Sequence, residues 1–271
     1  MGGRRAARPS GSLATLGMTR KIKTLERILS KAGLGSRTEA RRWIAAGRVR
    51  VNGKDVRDPD VWVDVERDRV EFDGKPLRRE ERVYLLLYKP TGYLTTRKDP
   101  AGRPTIYDLP DVGRVLARPD RLKLVLHLFS AGRLDLDTSG LLILTNDAQF
   151  AEQMTNPDYH VPKTYLVKAN RHLADDDLDR LRNGVELRDG PTRPALVTRI
   201  REAGGKTVFE ITVTEGRNRQ VRRMVEALEA KVLKLVRVAI GPIRIGDLQI
   251  GKVRELTPDE VRTLTRPRPA R

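Results

Sequence analysis

Gly-Arg-Leu-Asp-Leu-Asp-Thr-Ser-Gly-Leu-Leu-Ile-Leu-Thr-Asn-Asp, residues 132–147, is the stretch the chain is built to present. From Gly132 to Gly140 it is a polar loop with glycine at each end and two carboxylates, Asp135 and Asp137, two residues apart. Leu141 to Leu144 is an unbroken apolar run, too short for a helix, and reads as a strand buried on both faces. A carboxylate loop fixed to a buried strand is a rigid mount for a reactive group over a cleft. The same pattern is compatible with aspartates that only shape a turn.

Composition narrows the setting. A chain of 271 residues has room for one large domain, or for a small and a medium one. Lysine and arginine outnumber acids 54 to 36, a net charge of +18 that implies a polyanionic partner, nucleic acid ahead of a membrane surface. The chain has no cysteine, which excludes disulfides, thiolate metal sites and cysteine nucleophiles. Its histidines, His127, His160 and His172, are too scattered in sequence to suggest a metal cluster, so no metal is expected. Val83–Tyr88, among the longest apolar runs, falls far short of the roughly 18 residues of a membrane span. A reducing cytoplasm is the expected compartment.

Residues 1–20 are rich in Gly, Arg, Ala and Ser and carry no acid, so a disordered basic tail is expected there. A first module follows over 21–77. Leu25, Ile28, Leu29 and Ala32 recur at helical spacing, and Gly33 and Gly35 end that helix. Ser36 caps a second helix, with Glu39 completing a capping box and Ala40, Trp43 and Ile44 forming its apolar face. Val49-Arg50-Val51 alternates as a short strand before an Asn52-Gly53 hairpin turn. Residues 1–57 hold fifteen bases and three acids, residues 58–74 two bases and seven acids, an asymmetry that predicts one basic face. Arg37, Arg41 and Arg48 lie close to a common line beside the apolar face.

The run from Leu25 to Ile44, with Gly-Arg-Val-Arg-Val-Asn-Gly at 47–53, resembles the alpha-L RNA-binding module found in a small-subunit ribosomal protein, some tyrosyl-tRNA synthetases and several RNA-modifying enzymes. The resemblance implies that Arg37, Arg41 and Arg48 meet RNA phosphates, contacts that position a protein without reading sequence.

From residue 82 the pattern changes. Val83–Tyr88 opens as a strand that Lys89-Pro90-Thr91-Gly92 halts. Residues 97–131 are irregular, with Leu122–Phe129 apolar enough for a strand. Ala148–Met154 and Leu173–Leu181 have helical patterns; Tyr165–Lys168, Ala195–Arg199, Val208–Val213, Leu233–Ile240 and Ile243–Ile250 look like strands. A helix is expected to begin at Asn218, with Val221, Met224, Val225 and Leu228 on one face. Arg217, Arg219, Arg222 and Arg223 crowd its start, where cations oppose the helix dipole, so they are either solvated or recruited by anions in a cleft. Many strands with few helices between them give an α+β domain with a mixed, mainly antiparallel sheet and peripheral helices.

Residues 132–147, Lys-Thr-Tyr-Leu-Val at 163–167 and Glu-Gly-Arg-Asn-Arg-Gln-Val-Arg-Arg-Met at 215–224 resemble the ribosomal RNA pseudouridine synthases, in the branch that carries an alpha-L module. Lys89-Pro-Thr-Gly and Arg237–Pro242 fit the same pattern. The resemblance implies a catalytic domain over 82–258, followed by a basic tail at 259–271. It assigns Asp135 as the catalytic aspartate, Tyr165 as the active-site tyrosine, and Arg222 as the arginine paired with Asp135. Arg133 is implied to help hold or displace the extruded base, and Arg217 and Arg219 to bind RNA. Glu-Gly-Arg-Asn-Arg and the segment 97–105 look more like the large-subunit members, so 23S ribosomal RNA is the expected partner ahead of 16S, with pre-ribosomal particles as a further setting. A monomer without cofactor is expected. Ala148, where glycine is usual, and the long 111–129 connection depart from the pattern, and the second leaves the target nucleotide open. An aspartate can serve this reaction as nucleophile at the sugar or as base at its neighbouring proton. A non-catalytic ribosome-associated RNA-binding protein would explain the charge and the first module. A methyltransferase would need a nucleoside-cofactor loop, and none is recognisable.

Overall fold

The computed structural model describes residues 22–32, 34–64, 67–77, 82–117 and 128–266; the segment 1–20 and the positions beyond 266 lie outside them. The chain divides into two compact units, with the main boundary between residues 81 and 82.

In the first unit the elements are β1 (Ile22–Thr24), α1 (Leu25–Lys31), α2 (Arg37–Ala45), β2 (Val49–Val51), β3 (Lys54–Val56), β4 (Trp62–Asp64), β5 (Val70–Phe72) and β6 (Lys75–Pro76). The capping box starts α2: the Ser36 amide donates to Glu39 Oε2 at 2.8 Å, and Ser36 Oγ accepts from the Glu39 amide at 3.3 Å. Leu25, Leu29, Ala40, Ile44, Val49 and Val63 are buried together, so the apolar face read from α2 is the one the unit packs around. Asn52 and Gly53 both have positive φ, 52° and 78°, the backbone that a tight β2–β3 hairpin requires. Helix α1 ends at Lys31, and Gly33, expected to stop it, lies outside the described residues.

The second unit runs β7 (Tyr84–Lys89), α3 (Pro110–Leu116), β8 (Phe129–Ser130), β9 (Ser139–Thr145), α4 (Ala148–Thr155), β10 (Lys163–Ala169), α5 (Asp175–Asn183), β11 (Glu186–Leu187), β12 (Gly190–Pro191), β13 (Leu196–Glu202), β14 (Thr207–Val213), α6 (Gln220–Glu226), β15 (Val232–Ile240), β16 (Ile243–Arg244), β17 (Val253–Glu255) and α7 (Pro258–Thr265). The main sheet has the order β13-β14-β10-β15-β9-β7-β17. Its described pairs are antiparallel except β9 with β15, which run parallel through two residue pairs. The fold is therefore the mixed, mainly antiparallel α+β arrangement that the sequence pattern predicts.

Every residue of β9 is buried, as the Leu141–Leu144 run requires. Helices α5 and α6 cover one part of the sheet over Val167, Phe209, Ile211 and Leu235. Helices α4 and α7 contribute Phe150, Met154 and Leu264 to a second core cluster with Leu86, Leu141 and Ile143. At the centre, a Cβ on Gly140 would lie 2.3 Å from the Arg237 carbonyl oxygen, and its φ is +116°. Glycine is what lets β15 pass this close to the start of β9.

Several boundaries differ from expectation. The first seven residues of the expected basic tail, 259–265, belong to α7 (Pro258–Thr265): Thr257 caps it against Glu260, proline sits in its first turn and Leu264 is buried. The expected strand Ile243–Ile250 stops at Arg244, because the chain turns at Gly246 with φ +52°. Helix α6 begins at Gln220, not Asn218, because Arg219 adopts a left-handed backbone that no helix can include. Of the expected strand Leu122–Phe129, the part 122–127 lies outside the described residues, and β8 takes in Phe129 and Ser130.

Candidate active site

The loop between Gly132 and Gly140 is held from below by a lysine. Lys89, the last residue of β7, is fully buried, and its ammonium donates to Asp135 O at 3.0 Å, Thr138 O at 2.9 Å and Pro90 O at 3.0 Å. A buried ammonium with three carbonyl acceptors is satisfied in hydrogen bonds but not in charge. Burial pushes its pKa down to about 8, against the attraction of Asp135 and Asp137, while Arg237 adds to the lowering. The sequence reading gave Lys89 no role of its own: it ended a strand there and counted Lys89-Pro-Thr-Gly in the family pattern.

The neighbouring loop fastens the other side. Thr95 Oγ1 donates to Leu134 O at 2.8 Å and accepts from the Leu134 amide at 3.3 Å, and the Gly92 amide donates to Leu136 O at 2.8 Å. Asp135 is thus carried on a backbone tethered at positions 134, 135, 136 and 138, and its side chain is 36% exposed.

Two arginines face the aspartates, and their pairing corrects the one implied by resemblance. Arg222 does not pair with Asp135. Its Nη2 donates to Asp137 O at 3.0 Å and approaches the Asp137 carboxylate at 3.1 Å and Thr138 Oγ1 at 3.4 Å. A carbonyl and a hydroxyl of the loop capture this buried guanidinium, and the Asp137 carboxylate completes the grip. Among the described residues, the ion-pair partner of Asp135 is Arg219, at 3.6 Å, which also reaches both oxygens of Asp137 at 3.3 Å each. Burial pushes the Asp137 carboxyl up, but the hydrogen bonds from Arg219 and the charge of Arg222 outweigh it, leaving the group below its usual range. Arg219 sits at φ 47°, ψ 32°. A left-handed backbone costs a side-chain-bearing residue about 1 kcal/mol or more.

Tyr165 on β10 is in register with Arg237 on β15, and Arg237 with Gly140 on β9. Neighbours in register share a face. Tyr165 and Arg237 line one cavity of about 410 Å³ with Asp135, Arg133, Arg217 and Arg219. Arg237 is buried; its Nε donates to Leu141 O at 2.6 Å, and its Nη2 has no hydrogen-bond partner among the described residues. Lys89, Arg222 and Arg237 are thus three buried cations around a loop that carries two carboxylates.

The remaining expected residues divide. Arg133 is exposed at the cavity rim. Arg217 is tied to structure: it donates to Gly190 O at 2.8 Å and Pro191 O at 2.5 Å and pairs with Glu215 at 3.3 Å. In the first unit, Arg41 pairs with Glu26 and with Asp60, the latter at 2.6 Å, and Arg48 bonds Asp73 while lying over the Phe72 ring at 4.7 Å. Arg37 is exposed and has no ion pair among the described residues.

Compared with known proteins, residues 83–227, more than half of the chain, match the family model described as RNA pseudouridylate synthase. The chain belongs to the RNA pseudouridine synthases. Residues 24–70 of the synthase match the S4 domain model, the N-terminal module expected from its sequence. It is 38% identical over 245 residues to the ribosomal large subunit pseudouridine synthase B of Bacillus subtilis (strain 168), covering 90% of this chain and 96% of that relative. It is 42% identical over 241 residues to an uncharacterized RNA pseudouridine synthase of Aquifex aeolicus (strain VF5), covering 89% and 92%. A crystal structure of a pseudouridylate synthase is similar with a TM-score of 0.58 and 34% identity, over 89% of this chain and 99% of that one. The synthase is therefore an isomerase, and the reading as a non-catalytic RNA-binding protein falls.

Proposed function

We propose that the synthase converts a uridine of large-subunit (23S) ribosomal RNA to pseudouridine, with Asp135 acting at the ribose. Its similarity to a relative named for the large ribosomal subunit, together with the S4 match and a net charge of +18, supports the substrate class. The observation that carries the assignment of Asp135 is its mounting. Its backbone carbonyl is held by buried Lys89, and its carboxylate stands 3.6 Å from Arg219 on a cavity that Tyr165 also lines.

The isomerisation breaks the N1–C1′ bond, turns the base, joins C5 to C1′ and releases the C5 hydrogen as a proton. Asp135 serves as nucleophile at C1′ or as base at the neighbouring ribose proton, and both roles use its carboxylate. Tyr165 offers a flat face for the base, and Arg133 stands at the rim to hold an extruded nucleotide. The target atom lies inside a base stack, so the nucleotide is flipped, at a cost of roughly a few kcal/mol that is least for an unpaired base. Arg37 and, after exchanging their carboxylates for phosphates, Arg41 and Arg48 position the RNA. The reading is of a monomer that works in the cytoplasm without cofactor or metal, on RNA or on pre-ribosomal particles. Pseudouridine mapping in ribosomal RNA from cells lacking the synthase tests it: a position lost from 23S RNA is the expected result. Loss from 16S RNA alone, or from neither, contradicts it.

A further inference from the structure

We propose that Asp137 is a resident stand-in for an RNA phosphate: it holds Arg219 in the RNA-free synthase and yields it to a backbone phosphate when RNA enters, which uncovers Asp135. The proposal rests on the reading of Asp135 as the reacting group and adds a positioning residue to it.

The first observation is a difference between the two arginines that share Asp137. Arg222 is nearly closed off, 10% exposed at its side chain, and is fixed chiefly by the backbone carbonyl of Asp137 at 3.0 Å. Arg219 is 43% exposed, touches Asp137 only through carboxylate oxygens, and does so at a long 3.3 Å on each prong of its fork. A guanidinium fork fits a carboxylate and a phosphate in the same way. An exposed pair in water is held weakly, so a phosphate arriving in the cleft can take Arg219 without breaking the loop. Asp137 keeps Arg222 at 3.1 Å after such an exchange.

The second observation is the backbone. Arg219 is left-handed; this backbone lets its carbonyl accept from the Arg223 amide at 3.0 Å but gives its side chain no capping hydrogen bond to α6. It does place the guanidinium between Asp135 and Asp137. The strain thus serves the site as well as the start of the helix. The third is competition at the rim. Arg217 is committed to Gly190, Pro191 and Glu215, and Arg222 and Arg237 are buried, which leaves Arg219 and Arg133 as the rim arginines open to a phosphate.

The exchange has a signature in salt dependence. An arginine that meets a phosphate normally releases about 0.9 counterion on duplex DNA and about 0.7 on a single strand, which bracket the effect expected on folded RNA. An arginine that must first release a carboxylate contributes little, because the freed carboxylate recruits a cation in return. The test measures binding of an unmodified large-subunit RNA transcript to the full-length synthase carrying Asp135→Asn, so that nothing turns over. Adding Asp137→Asn, which keeps the side-chain shape and removes the charge, is expected to tighten binding roughly three- to tenfold and steepen the slope of log affinity against log salt by about 0.7–0.9. Asp137→Glu restores the original slope. In an Arg219→Gln background Asp137→Asn has no effect on the slope, since both changes act through one contact. An unchanged slope, weaker binding, or an effect that persists without Arg219 overturns the proposal. If Asp137 only shaped the loop, melting temperature and kcat would fall together while the slope stayed fixed, and that result overturns it too. With Asp135 restored, Asp137→Asn lowers KM and kcat together. Turnover by Asp135→Asn itself would sink the catalytic reading, whatever the slopes show.

Discussion

Arginine and lysine play opposite parts in the two units. In the second unit Lys89, Arg222 and Arg237 are buried and bond backbone carbonyls of the loop and strand that carry Asp135. In the first unit Arg41 and Arg48 lie in the open, paired with carboxylates of the same unit of which Asp60 and Asp73 are themselves exposed. Buried cations that bond carbonyls are architecture: removing one leaves acceptors that water cannot reach. Exposed pairs are provisional, screened by salt and easily traded for a phosphate. The contrast teaches that a high positive charge is not one property. Part of it builds the site, and part waits on the surface for a polyanion.

Substitutions sharpen or break that contrast in descending order of effect. Lys89→Met strips the donor from Asp135 O, Thr138 O and Pro90 O at once, and should lower stability by roughly 2–5 kcal/mol and abolish turnover, as read by urea unfolding and by pseudouridine formation. A wild-type-like midpoint would deny the lysine its structural part. Gly140→Ala drives a Cβ into the Arg237 backbone at a position with φ +116°, and a loss of at least about 3 kcal/mol is expected by the same measurement. The pH dependence comes next. The Lys89 pKa is about 8 in the folded chain, against an ordinary 10.5, so between those values the unfolded chain holds a proton that the folded one has lost. This group's contribution to stability therefore rises with pH through that window and is flat below about 8. Lys89→Met should remove that rise from the pH profile of unfolding, and an identical profile would assign the shift elsewhere. Smallest in stability is the double change Arg41→Ala, Arg48→Ala. It should barely move the melting temperature, yet weaken RNA binding several-fold with little change in its salt slope, since each arginine gives up a carboxylate as it takes a phosphate. A large loss of stability with unchanged RNA affinity would make those arginines structural and erase the contrast.

Much of this was legible in sequence because short-range physics determines it. The Leu141–Leu144 run became a fully buried strand, Ser36 and Glu39 formed the expected capping box, and Asn52-Gly53 turned the expected hairpin. What stayed hidden depends on distance along the chain. Arg222 lies 85 residues from Asp137, and no spacing rule distinguishes a grip on position 137 from one on 135. The left-handed backbone of Arg219 is set by its surroundings and has no glycine or asparagine to announce it. Lys89 looked like a strand's end because its burial follows from partners 46 and 49 residues away, although a lysine closing an apolar run just before Pro-Thr-Gly was a usable signal. Helix α7 could have been found: Thr257-Pro258-Asp259-Glu260 is a capping box with proline in its first turn.

The account turns on whether Asp135 reacts. Tritium release from RNA labelled at uridine C5, measured beside RNA affinity for the synthase and its Asp135→Asn form, tests this most directly. Release is expected to fall by about three orders of magnitude or more while affinity stays within a few-fold. Continued release at a comparable rate would contradict the account.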